Sequence, residues 1–474
     1  YERHEVWAKR LYTELAEALL AQVEYLSRED LLCIMQAFYE ARLEVPEAFK
    51  ELSVEKLADI KGTEYSLEEM RAHRQAMVES FFTEHPNLTA FELSDILFES
   101  LHALPAEAAQ SIIICLTENQ RTVAQEAAVL FLLHPKPEIR ELTINTLSEL
   151  YAEKLLTPVN LRRLVTIRQW WPAEERKPLD TLIAAQRKRE GQFADIQPPP
   201  DKIRYEACLF DGSGVQMIFI ETEQGKKCRL GGFLVKHEIG IRDAWMTSIH
   251  MPEKELRSLR RQLQKEQPLP MRQVSEEYVA QIASHFMALN NRNKETPEPH
   301  FLEIYELLGS QAWRAEPTKI DERLLELFHE INPGMPTKQW TNESLERSGD
   351  WTDYEAFTES WFETSPGIDS LINRHTALNK GRPKIKFDDA LHELSATGFE
   401  YVRQKWVALF FWMALMVKSS PNPKIDLLWE DFATLAYVLN DGMTMQDIPL
   451  MQCIIHDSLA ISIDSFHERG SHLQ

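Results

Sequence analysis

Residues 203–236 are the part of this chain that cannot be helix. The stretches 203–210, 215–222 and 228–236 are rich in Val, Ile, Phe and Tyr, and the turns Asp211-Gly-Ser-Gly214 and Glu223-Gln-Gly-Lys226 separate them. Branched and aromatic runs bounded by glycine-containing turns predict strands. Turns this short predict an antiparallel three-stranded meander over residues 202–237. In its second strand Val215, Met217 and Phe219 alternate with Ile218 and Ile220, so both faces are apolar. Such a sheet needs cover on both sides, and three strands alone are marginal. The rest of the chain must supply helices to cover it.

The rest does carry helical patterns. Leu11, Leu15, Leu19 and Leu26 form an apolar stripe at helical spacing. Ser66-Leu-Glu-Glu69 and Thr89-Ala-Phe-Glu92 are capping boxes, in which hydroxyl and carboxylate each take a backbone N–H at a helix start. Short helices are predicted near 105–116, 122–133, 137–152, 158–169 and 173–189. The segment Leu133-His-Pro-Lys-Pro137-Glu-Ile139-Arg140, followed by Thr143 and Leu147, resembles the second helix of a HEAT repeat. There a first-turn Pro precedes branched and Leu residues that face a neighbouring helix. The resemblance, local to residues 105–190, implies a helical-hairpin array there, although Thr143 stands where that family favours Ala; residues 1–194 as a whole read as a helical, HEAT-like array. Pro198-Pro199-Pro200 cannot be helix interior, so residues 195–201 read as a linker. Beyond it, residues 202–474 are predicted as an α+β part: the meander, then a helical bundle over 251–474. Thr318-Lys-Ile-Asp321 and Thr352-Asp-Tyr-Glu355 mark helix starts there, and Asn332-Pro333-Gly334 and Asn440-Asp441-Gly442 mark ends. The fold class is mainly α, α+β overall.

Charge limits the partners. The 474 residues carry a formal charge of −22, which repels nucleic acid and anionic membranes as a whole. Residues 151–300 depart from this, with 24 Lys and Arg against 20 Asp and Glu. The most apolar run, residues 406–417, is shorter than the roughly 20 residues a bilayer requires. It predicts a helix buried on all sides, and no membrane partner is expected. No secretory leader is visible, and a start at Tyr1 leaves a removed one open. Five scattered cysteines, at 33, 115, 208, 228 and 453, suggest reduced thiols and a cytoplasmic setting. Cys33 and Cys115 fall in apolar helical contexts. Cys208 and Cys228, on the outer strands of the meander, would stand roughly 9.6 Å apart, beyond the ~7 Å reach of a disulfide.

Candidate chemistry is thin. Glu99/His102, Glu326/His329, Asp389/His392 and Asp464/His467 have the Glu-x-x-His spacing of di-iron helices. Among 15 His and 74 acids, four such pairs are close to random placement. His456-Asp457, Asp464 and His467-Glu468 cluster near the C-terminus, and the adjacent His-Asp pair resembles HD-type phosphohydrolases. That family needs a further His upstream and an Asp on a separate helix, whereas Asp464 follows on the same predicted helix. Gly-x-Ser-x-Gly and phosphate-loop signatures are missing. Gly231-Gly232 reads as a bulge or a close backbone approach. No metal or other cofactor is predicted, and an enzyme is not favoured.

Interaction residues are better marked. Arg162, Arg163 and Arg168, with Arg187-Lys188-Arg189, lie on successive helices of the predicted array. Arg257, Arg260, Arg261 and Lys265 define one basic helix face, and Lys380-Gly-Arg382-Pro-Lys384-Ile-Lys386 a basic loop. Arg242, Asp243 and Trp245 make a dense polar and aromatic turn where the third strand is expected to yield to helix. The expected role is a non-catalytic interaction or scaffold protein that binds a protein partner on a helical-array surface. The partner-binding residues would be Arg162, Arg163, Arg168, Arg242, Asp243, Trp245, Arg257, Arg260 and Arg261. Two alternatives stand beside it: a nucleic-acid-associated regulator using the basic faces, and a metal-dependent hydrolase built on the C-terminal His/Asp cluster.

Overall fold

The computed structural model describes residues 6–22, 25–27, 30–31, 33–34, 37–38, 45–46, 67–102, 106–189, 198–247, 250–266, 270–309, 313–331, 338–353, 360–379, 382–420 and 428–471. Ser66, Asn332-Pro333-Gly334 and the end of the Thr352 box lie outside them. The chain is mainly α, with a five-stranded and a two-stranded antiparallel sheet. It divides into two compact units, Tyr1–Gln197 with Lys294–Glu303, and Pro198–Asn293 with Ile304–Gln474.

The first unit contains α1 (Val6–Gln22), α2 (Leu67–Glu84), α3 (Ala90–His102), α4 (Ala106–Glu118), α5 (Thr122–Leu130), α6 (Pro137–Leu150), α7 (Pro158–Trp170) and α8 (Lys177–Lys188). Thr89 and Glu92 close their box at α3, the Thr89 N–H 2.8 Å from Glu92 Oε2 and the Glu92 N–H 3.2 Å from Thr89 Oγ1. Pro137 and Pro158 occupy first-turn positions, where their lack of an N–H costs nothing. From α3 onward the helices pack in two rows, α3–α5–α7 and α4–α6–α8. Small residues let them approach: Ala124, Ala127 and Ala128 are fully buried. In α1, Leu19 packs with Leu26 on a cluster of Leu31, Phe38 and Val45, but Leu15 is exposed, so the predicted stripe is incomplete. Cys33 is also exposed, contrary to its predicted apolar setting.

His300, from the Lys294–Glu303 segment, is clamped in this unit. Its Nε2 lies 2.6 Å from Asp95 Oδ2 on α3, and its Nδ1 lies 2.7 Å from Glu303 Oε2. The ring stacks on Phe91, with centroids 6.0 Å apart. Two carboxylates on the two ring nitrogens require both to donate, so the ring is held as imidazolium. Burial pulls its pKa down, but the hydrogen bonds to Asp95 and Glu303 outweigh that and raise it to about 10.

The second unit is organised by the sheet. Strands β1 (Lys202–Ala207), β2 (Val215–Gln224), β3 (Lys227–Lys236), β4 (Gly240–Met246) and β5 (Arg272–Val274) lie in the order β4-β3-β2-β1-β5. The meander is therefore one part of a five-stranded sheet, which corrects the three-stranded expectation. The turn predicted to lead from Lys236 into helix instead leads into β4, and a β-bulge between Leu234 and Val235 breaks the alternation that would have marked this strand. Asn290 finishes β4 at Ile241: its Oδ1 accepts from the Ile241 N–H at 2.8 Å, and its Nδ2 donates to the Ile241 carbonyl at 3.1 Å.

One face of the sheet is fully enclosed. Ile218, Ile220, Phe233 and Val235 have no exposure. α10 (Glu276–Asn293), which follows α9 (Glu253–Glu266), lies under them, and the Tyr278 hydroxyl bonds Gln216 Oε1 at 2.8 Å. Gln216 Nε2 in turn reaches the Cys208 carbonyl at 2.7 Å and Met416 Sδ at 3.4 Å. After α11 (Pro299–Leu308), the chain forms α12 (Ile320–Ile331), α13 (Lys338–Gly349) and α14 (Pro366–His375). Next come a hairpin of β6 (Thr376–Asn379) and β7 (Arg382–Ile385), α15 (Phe387–Glu393), α16 (Arg403–Ser419), α17 (Trp429–Asn440) and α18 (Pro449–Ser471). The segment predicted as a basic loop at 380–386 thus contributes a strand. Every residue from Trp406 to Val417 of α16 is buried, as its unbroken apolar run predicts. No described helix is long and apolar enough to cross a membrane.

Candidate interaction surface

The sheet's two apolar faces are covered unequally. α9 packs on the second, outer face through Leu256, Leu259 and Leu263, which gather Cys228, Leu230, Met251 and Trp245. Val215, Met217, Phe219 and Leu234 are only partly buried, as is Trp245 at the border. The register sets Phe219 opposite Gly232, and Gly232 opposite Trp245. A Cβ on Gly232 would lie 2.6 Å from the Ile218 carbonyl and 3.0 Å from Phe219. With glycine there, the Phe219 and Trp245 rings meet edge to face, with centroids 5.8 Å apart. This is the close approach expected of Gly231-Gly232. The bulge lies two residues on.

The basic residues of this unit divide into paired and unpaired. Arg260 bridges Glu206 on β1 and Glu221 on β2, the latter at 2.9 Å. Arg204 also pairs with Glu221, and Lys202 with Glu223 at 3.3 Å. Arg257 stands 3.8 Å from Glu253, one turn back on α9. Arg261 Nε donates to the Arg257 carbonyl at 3.2 Å. Much of the predicted basic face is thereby turned to carboxylates of its own unit. Arg242 differs. It occupies the bulge of β4, is exposed, and forms no ion pair among the described residues. Asp243, beside it, pairs in register with Leu234 and points to the outer face with Trp245.

In the first unit, Arg163 is 5% exposed, lies 3.4 Å from Glu126 and sits over the Phe91 ring at 4.7 Å. Arg168 pairs with Asp180, whose carboxylate it holds below the usual range. Arg162 is partly buried. Arg189 reaches the Tyr151 carbonyl at 3.3 Å. The nine residues predicted to bind a partner therefore fall in two groups, one in each unit. Of these, Arg163, Arg168, Arg257 and Arg260 are engaged by carboxylates of their own unit.

The acid–base candidates are dispersed. His456 Nδ1 is 3.0 Å from Asp457 Oδ1, and both side chains are about half exposed on α18. Glu326 pairs with Arg323 on α12, and Asp389 with Lys386. The side chains of Glu99, His102 and His467 lie outside the described residues. Among the described residues, no three His, Cys, Asp or Glu side chains gather as a metal site would require. Burial raises the Cys208 thiol to about 11, which keeps it protonated.

A buried polar node, invisible from sequence, lies elsewhere in this unit. Glu363 is 8% exposed and pairs with Lys405 of α16 at 2.7 Å, while its N–H donates to Ser458 Oγ on α18 at 2.7 Å. Burial raises the Glu363 pKa against the pull of Lys405. Burial first, then the charges of Lys405 and Arg292, lowers His237 to about 4. The node ties the 360–365 segment to two helices, which is a structural role.

Two family models match parts of the chain. Residues 105–190 are similar to the Y4lR second domain, and residues 321–463 to the Y4lR C-terminal helical domain. The first match covers the paired helices α4–α8, and the sheet lies between the two. No curated protein and no solved structure matches the chain.

Proposed function

We propose that this chain is a non-catalytic interaction protein, and that its partner is a protein docked on the outer face of the sheet. The observation that carries this reading is the unequal cover of a sheet that is apolar on both sides. One face is sealed, while Met217, Phe219, Leu234 and Trp245 keep partial exposure beside α9. Partly exposed aromatic, Met and Arg side chains together are the composition of interface centres. The two-row packing of α3 to α8 supports a second, array-type surface, and the resemblance of that region to HEAT repeats adds to it. The five scattered cysteines support a cytoplasmic setting. Nucleic acid fits less well, because Glu206, Glu221 and Glu223 stand among the cations of the same face.

The test is affinity capture on the full chain beside its Met217→Asp and Trp245→Ala variants, each checked for an unchanged melting temperature. Captured proteins are then purified and titrated directly. A partner that binds below about 10 µM and weakens about 30-fold with Trp245→Ala supports docking on this face. Equal binding by wild type and both variants refutes it.

A further inference from the structure

We infer that the occupant of the outer face is an amphipathic helical segment that brings a carboxylate to Arg242. This rests on the docking reading above and specifies the partner's chemistry. Three observations carry it.

The first is room. At Val215, Met217 and Leu234 the sheet is three strands wide, because β1 ends at Ala207 opposite Ile218; two spacings of about 4.8 Å span about 10 Å, and a helix is about 10 Å across with its side chains. The enclosed face is met by two helices, α10 through Tyr278 and α16 through Met416. The outer face has α9, whose leucines sit over Cys228 and Leu230 at one end of the ten-residue strands β2 and β3. The other end, with Val215, Met217 and Leu234, keeps partial exposure. A second helix there would complete the layer as helices do on the enclosed side.

The second is the surface chemistry. Met217 is adaptable, and the Phe219–Trp245 pair is rigid over its glycine floor. That combination suits apolar residues presented at i, i+3 and i+4 from one helix. The Trp245 indole N–H makes no hydrogen bond among the described residues, so it can donate to an acceptor at the rim.

The third is charge complementarity. The chain has 74 acids and 52 Lys and Arg, so its cations readily find carboxylates, as Lys202, Arg204, Arg257 and Arg260 do. Arg242 is exposed and unpaired among the described residues despite that excess, and the bulge aims it away from the regular ladder. Lys236, opposite Val215 at the same end, likewise has no ion pair among them. With Asp243 on the same face, Arg242 and Lys236 still leave one net positive charge beside the apolar strip, which selects a partner carboxylate.

The test uses a displayed library of random 12-residue segments, selected on the full chain and counter-selected on Met217→Asp. Enriched peptides are synthesised and titrated by fluorescence anisotropy against wild type, Met217→Asp, Arg242→Glu and Arg242→Lys. The expected peptides have helical apolar spacing and an acidic excess, lose at least tenfold in affinity to Arg242→Glu, and lose less to Arg242→Lys. Peptides that are neutral or basic, or that bind Arg242→Glu as tightly as wild type, overturn the carboxylate-bearing helix and leave docking intact. If no peptide prefers wild type over Met217→Asp, the docking reading fails with it. Arg242 is exposed and has no ion pair among the described residues, so its variants fold as wild type does, and circular dichroism checks this.

Discussion

Removing the imidazolium clamp of the first unit should expose a stability term that vanishes in alkali. His300 has an ordinary pKa of 6.5, raised in the folded chain to about 10. A group whose folded pKa lies above its unfolded value stabilises fully below the unfolded pKa. It loses that contribution as pH rises through the folded one. The window is therefore pH 6.5 to about 10, and without solvent screening stability would fall across it by about 1.4 kcal/mol per pH unit. The full shift corresponds to about 5 kcal/mol. Asp95 is 43% exposed, and screening of that half of the clamp brings the working value to about 3 kcal/mol. With two compact units, global unfolding need not be one transition, so the assay must be local. Hydrogen exchange read on peptides covering 294–303, corrected for intrinsic rate, gives the opening free energy of that segment at each pH. Wild type should exceed His300→Gln by about 3 kcal/mol at pH 6, and the gap should close as pH approaches 10. A gap that is constant across this range, or that widens with pH, would show that the imidazolium carries none of the stability.

Two further outcomes follow from packing. Gly232→Ala places a Cβ 2.6 Å from the Ile218 carbonyl and should cost about 2–3 kcal/mol. Gly225→Ala meets open space at φ +62° and should cost only about 1 kcal/mol. Urea titration of the two variants checks the order, and equal losses would remove the close-approach account. Lys405→Met strands the buried Glu363 without its counter-charge and should cost about 3–5 kcal/mol. Adding Glu363→Leu should recover most of it, and a double variant no better than Lys405→Met would show that the pair is not the cause.

Much of the architecture was legible because it is locally encoded. The first three strands, the Thr89 box, the prolines at helix starts and the all-apolar run of α16 each announce their structure within a dozen residues. The fourth strand was not legible, because Gly240-Ile-Arg-Asp-Ala-Trp245 has no clean alternation once Arg242 stands in a bulge. β5 is three residues long, too short to carry a pattern. Candidate sites failed for a different reason. Arg260 reads as an open cation until Glu206 and Glu221, 54 and 39 positions earlier, fold against it. His300 finds Asp95 across 205 positions. Tertiary pairing of this kind leaves no local trace. Trp245 and Arg242 were visible as an unusual turn, but only the register shows that they border the incompletely covered face.

The amide of Asn290 has a consequence for assembly. An edge strand presents free N–H and C=O groups in the alternation that another strand would recognise. At Ile241 both groups are already answered by one planar side chain offering an acceptor and a donor. The amide imitates an incoming strand for the length of a single residue and then offers nothing to continue the pairing. At Ile241 an incoming strand finds both groups taken, so pairing there would first have to displace the amide. Asn290→Asp would keep the acceptor and lose the donor, turning a terminator into a repulsive contact with the Ile241 carbonyl.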